Sequence, residues 1–130
     1  MEKKDFEQLV VEAFDNIPEK FRKEIKNVAL TIEDEPTAED LAQRNLQPSS
    51  LLLGLYVGIP ATERGANYGI GAIGPDVIKI FQKSIEKVAG DDLEQIREIV
   101  KETVWHEYAH YFGMDEEEVR KWENQKREKK

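Results

Sequence analysis

A chain of 130 residues can bury one hydrophobic core but is short for two, so a single domain over 1–130 is expected, with 124–130 a frayed tail. Its charged share is 35%, against a usual ~25%, and its net charge is −8; this argues against a nucleic-acid partner, which calls for clustered Lys and Arg. The absence of cysteine excludes disulfides, thiolate nucleophiles and Cys-based zinc sites, leaving His and carboxylates to hold any metal.

In chain order, Phe6, Leu9, Val10, Ala13, Phe14 and Ile17 form a helical apolar stripe. A first helix is expected from about Asp5, as N-cap, to Asn16. Pro18 stops it and opens a short second helix carrying Phe21 and Ile25. The period then changes to two, with Val28, Leu30 and Ile32 on one face of a strand that Glu33-Asp34-Glu35-Pro36 ends. Thr37 to Asp40 resembles a capping box and starts a short helix through about Gln43, with Leu41 and Ala38 turned inward.

Leu51 to Val57 is nearly all apolar, which predicts a strand covered on both faces. Gly58 to Pro75 holds five of the eight glycines and two of the five prolines, and reads as one long surface loop, a candidate lid. Its Gly69-Ile70-Gly71-Ala72-Ile73-Gly74 matches GxGxxG, but a loop precedes it and Pro75 follows, so no dinucleotide site is expected. Val77 to Phe81 fits a strand better than a helix because it is rich in β-branched residues; a helix should start at about Gln82 and break at Gly90. Asp91-Asp92 then opens a long helix to about Phe112, its buried stripe marked by Leu93, Ile96, Val100, Val104 and Tyr111. Gly113 supplies a left-handed helix end, and Asp115 begins a last helix holding Val119 and Trp122. The sum is an α+β fold in which a small mixed three-stranded sheet packs against a long helix and the N-terminal helices. No run approaches the ~18 apolar residues of a membrane span, and the N-terminus has no apolar leader, so a cytoplasmic protein without a membrane partner is expected. The basic Lys126 to Lys130 run reads as a solvated end.

The chemistry concentrates in His106-Glu107-Tyr108-Ala109-His110, which contains both histidines of the chain. This is HExxH: at i and i+4 on a helix both imidazoles reach one ion, and Glu107 lies one step round. His106, His110 and Thr103 run along the edge of the apolar stripe, facing a cleft beside the core. A catalytic zinc takes three protein ligands and keeps a position for water, so a third ligand is needed from Asp115, Glu116 or Glu123. Glu116 is preferred, because Asp115 competes as an N-cap with Glu118 completing a D-x-x-E box. The expected function is a zinc-dependent metallopeptidase with Zn2+ held by His106, His110 and Glu116, and with Glu107 as general base toward the metal-bound water. Its partner would be a peptide or a flexible protein segment. The rival expectation is a metal-stabilised peptide-binding domain with little or no hydrolysis.

At His106-Glu107-Tyr108-Ala109-His110-Tyr111-Phe112-Gly113 the chain resembles the small bacterial zincin-like family of candidate metallopeptidases, whose pattern is close to HExxHxFGxxD. The resemblance extends to Leu53-Gly54-Leu55-Tyr56 with Gly58, Pro60, Glu63 and Arg64, to Pro75-Asp76 and to Thr103-Val104, covering most of 5–122. It implies a minimal zincin fold and proteolytic activity. The chain departs from the pattern at Glu116, where the family has Asp; here Asp115 stands just before it. For the oxyanion, Arg64, Tyr68 and Tyr111 are the candidates. The strand at 76–81 or that at 51–57 could offer an edge to a peptide substrate.

Overall fold

A computed structural model describes residues 1–47, 51–58, 76–115 and 117–121. The elements, in order, are α1 (Lys3–Asp15), α2 (Glu19–Arg22), β1 (Val28–Glu33), α3 (Ala38–Gln43), β2 (Gly54–Val57), β3 (Asp76–Phe81), α4 (Gln82–Ala89) and α5 (Leu93–Tyr111), with a further helical stretch over 117–121. The sheet has the order β1-β3-β2, with β3 parallel to β1 and antiparallel to β2. The α+β class and the mixed three-stranded sheet agree with the sequence reading.

Period-two alternation gives the sheet two different faces. On one, Leu30 and Ile32 of β1 stand beside Ile78 and Ile80 of β3, and these join Phe6, Leu9, Val10, Val100, Val104, Trp105, Tyr108 and Ala109 in the main core. The other face carries a smaller cluster of Leu41, Leu52, Leu55 and Phe81 under α3. Burying each large aliphatic or Phe side chain is worth about 1.5–3 kcal/mol, so the main cluster carries most of the apolar stabilisation. Within it, α1 lies against α5 with Phe14 edge-on to Tyr108 at 5.5 Å, and Arg97 reaching Glu12 at 3.3 Å.

Helix α3 has only six residues and buries few apolar groups, and polar contacts hold it at both ends. Thr37 accepts from Asp40 N–H while the Asp40 carboxylate accepts from Thr37 N–H, the reciprocal pair of a capping box. At the other end Asn45 is left-handed at φ 56, Asn45 N–H donates to Ala42 O, and Leu46 N–H donates to Leu41 O. This is a Schellman turn with Asn in the place usually taken by Gly, and it makes Arg44 the C-cap. Asp40 is only 2% exposed and accepts from Lys79 Nζ at 2.8 Å, tying α3 to the centre of the sheet. Burial alone would raise the Asp40 carboxyl, but its hydrogen bonds with Lys79 and Thr37 outweigh that and hold it below the ordinary value; the same bond raises Lys79.

Several expectations needed correcting. Asp5 lies inside the first turn of α1, whose N-cap is Glu2. Helix α2 ends at Arg22, before Ile25. In α3 it is Asp40, not Ala38, that turns inward beside Leu41, because Lys79 compensates its charge. Strand β2 starts at Gly54 rather than Leu51, and Leu51 is exposed. Leu93 is exposed as well, since the first turn of α5 projects past the core that starts at Ile96. The glycine-rich segment 59–75, with its GxGxxG match and its reading as a lid, lies outside the described residues. No helix among the described residues is long and apolar enough to cross a membrane.

Candidate metal centre

Helix α5 begins where Asp92 accepts hydrogen bonds from Glu94 N–H at 3.0 Å and Gln95 N–H at 3.4 Å, which is the N-cap expected of an acid at the positive end of a helix. Ile96, Val100, Val104, Tyr108 and Tyr111 carry its apolar stripe into the core. One step round the helix are Thr103, Glu107 and the two histidines. Thr103 and Glu107 are buried, and His106 and His110 are half-buried.

The His106 and His110 rings stand 4.8 Å apart between centroids at 77° to one another. Ligand atoms of His106, Glu107 and His110 all fall within 4.8 Å of each other, so one cation can be reached by all three side chains. The donor set is chemically suited to zinc: two imidazoles and a carboxylate, with no soft thiolate in the chain. Burial in the main core pushes the Tyr108 phenol up to about 12, so it stays neutral at physiological pH.

Strand β2 lies close against α5 at this point. A Cβ placed on Gly54 would come to 2.7 Å from Thr103 Cγ2 and 3.0 Å from Glu107 Cγ, which is closer than side chains pack. Gly54 is therefore the residue that lets the strand lie on Glu107. From the other side, Arg44 at the end of α3 brings Nη1 to 3.6 Å from Glu107 Oε1. Three elements thus converge on one carboxylate.

The helix ends where the sequence places its end. Gly113 is left-handed at φ 81, Gly113 N–H donates to His110 O at 2.9 Å, and Met114 N–H donates to Ala109 O at 3.0 Å. This second Schellman turn reverses the chain just past the histidines. Asp115 then caps the following turn by accepting from Glu118 N–H at 2.8 Å, and Val119 is buried in the main core. Asp115 is exposed and engaged as a cap, and it is not among the residues brought together with the histidines. Glu116 and Glu123, and the oxyanion candidates Arg64 and Tyr68, lie outside the described residues.

Tyr111 is not an oxyanion group. It is buried, and its hydroxyl donates to Lys26 O and accepts from Lys26 N–H, both at 3.2 Å, which commits it to fastening α5 to the loop before β1. Of the two strands considered for a peptide edge, β3 is hydrogen-bonded on both sides, and β2 is an edge strand among the described residues. Arg44 was missed in the sequence. Its only local signal was its position after the expected end of the capping-box helix, which says nothing of a partner far along the chain.

A profile of zincin-like metallopeptidases matches residues 25–126, which include both strands flanking β3, the HExxH helix and Arg44. Among solved structures, a conserved hypothetical protein from Thermus thermophilus aligns with a TM-score of 0.56 over 86% of this chain and 94% of that one. At 24% identity that likeness speaks to the fold alone. No curated protein matches the chain. The span of the profile match, the mixed sheet and the paired histidines lead to one conclusion: the chain belongs to the zincin-like metallopeptidase family.

Proposed function

We propose that this protein is a zinc-dependent peptidase acting on peptides or flexible protein segments. The observation that carries the proposal is the convergence of ligand atoms from His106, Glu107 and His110 within 4.8 Å. His106 and His110 would hold the metal through their imidazole nitrogens, and Glu116, which follows Gly113 in the sequence, would complete the set. Zinc there would supply a Lewis acid for the substrate carbonyl and lower the pKa of water.

The protein's own groups do the rest. Glu107 accepts a proton from the attacking water on a carboxylate oxygen and delivers it to the nitrogen of the leaving amine. Close packing of Gly54 on buried Glu107 limits its side-chain freedom, so little entropy is lost in orienting the base. The outer edge of β2 offers backbone N–H and C=O groups to an extended substrate, which presents its scissile bond over Glu107. The net charge of −8 keeps the substrate class away from nucleic acids.

The test is hydrolysis of a fluorogenic peptide pool by zinc-loaded wild type and by Glu107→Gln. Wild type should cleave, and Glu107→Gln should keep its zinc while turnover falls by about 10²–10⁴-fold, the usual contribution of a general base. Full activity in Glu107→Gln would end this mechanism. Zinc binding without cleavage of any peptide would favour a metal-stabilised binding domain instead.

A further inference from the structure

Arg44 is part of the centre, yet no role follows for it from the HExxH chemistry. Two uses fit a guanidinium beside a general base: orienting that base, or receiving an anionic group of the substrate. Distance decides between them. The approach of Nη1 to Glu107 Oε1 is 3.6 Å, an ion pair but beyond hydrogen-bond reach, and an orienting group needs the directionality of a hydrogen bond. Among the described residues the Arg44 side chain donates no hydrogen bond at all. A guanidinium carries five N–H donors in a planar fork that matches a carboxylate in two-point geometry.

Its mounting is consistent with a receptor. The side chain is 33% exposed, against 4% for Glu107, so the pair runs from the buried base toward the surface. Arg44 itself sits at the junction between α3 and its Schellman turn, and the capping box, the buried Asp40–Lys79 pair and Leu41 all fix that helix on the sheet. A rigidly mounted cation with unspent donors forms a binding group ready before substrate arrives.

We propose that Arg44 is a specificity-determining residue that binds a carboxylate of the substrate next to the scissile bond. This deepens the peptidase reading and rests on it. The carboxylate is either the free C-terminus of the peptide or an acidic side chain, and both present the same planar oxygen pair to the guanidinium.

The metal-free protein tests the proposal without turnover and without zinc competing for the carboxylate. Three probes are titrated at millimolar concentration: acetyl-Ala-Ala-Ala with a free C-terminus, its C-terminal amide, and acetyl-Ala-Glu-Ala amide. The readout is the NMR shift of the Arg44 Nε–H, with binding to Arg44→Gln and Arg44→Lys measured in parallel. At least one carboxylate probe should bind about tenfold tighter than the plain amide, as one charge-assisted contact provides. Arg44→Gln should erase that preference, and Arg44→Lys should retain part of it. The free-acid probe alone would identify a C-terminal carboxylate, and the Glu probe an acidic side chain. Equal binding of all three probes, no shift with either carboxylate, or a preference that survives Arg44→Gln would overturn the proposal. Failure of the wild type to cleave peptides would sink the peptidase reading while leaving this binding result standing.

Discussion

The two helices that meet at Glu107 are held by opposite means. Helix α5 is fixed by apolar burial, with Ile96, Val100, Val104, Trp105, Tyr108, Ala109 and Tyr111 all against the core. Helix α3 is fixed by a capping box, a Schellman turn and a buried ion pair, with Leu41 its main apolar anchor. Both end in the same kind of turn, at Gly113 and at Asn45. The histidines therefore ride on a support insensitive to pH, whereas Arg44 rides on one that depends on ionised Asp40 and Lys79. The histidines and Arg44, grouped around Glu107, should therefore respond differently to the same perturbation.

The largest effect is expected where the apolar support is cut. Ile80→Ala removes a fully buried side chain from the middle of β3 and should cost about 2–5 kcal/mol in denaturant unfolding, weakening both groups together. A loss under 1 kcal/mol would mean that the sheet does not support α5 as described. Next comes Gly54→Val, which forces atoms into Thr103 and Glu107 and should cost about 1–3 kcal/mol. Its peptide hydrolysis should fall more than its zinc affinity, because the strand is pushed off the base while the histidines keep their places.

The most selective effect is expected at the polar support. Asp40→Asn should destabilise by about 1–3 kcal/mol near neutrality, measured by urea unfolding. The sign follows from the shifts. The Asp40 carboxyl is held below its ordinary value in the fold, so its contribution is present above the usual aspartate range and is lost as pH falls through that lowered value. Lys79 is raised, so its contribution is present below its ordinary value and fades only as pH climbs past it through the raised one. The gap between wild type and Asp40→Asn should thus close in acid. A gap independent of pH would show that the pair does not hold α3.

The same contrast explains what could be read from the residues alone. Asp92, the two histidines, Gly113 and Asp115 act within one or two turns of their own helix, so spacing exposes their roles, and each stands in the expected place. The β-branched composition of Val77 to Phe81 points to a strand, and its parallel pairing with β1 agrees. Asp40 was legible as a capping residue but not as the partner of Lys79, and Arg44 was legible only as a residue after a helix. Both pairings join segments brought together by the sheet, and no local period records them. Leu51 and Leu93 mislead for a related reason: each is apolar at an element's end, where the core has already stopped.

The central claim is that His106 and His110 jointly hold one zinc ion beside Glu107. Zinc content per chain after reconstitution and dialysis, for wild type, His106→Ala, His110→Ala and Glu107→Gln, tests it most directly. The account predicts one bound zinc in wild type and in Glu107→Gln and loss of that zinc in either histidine variant. Retention of a full equivalent in both histidine variants, or none in wild type, would contradict it.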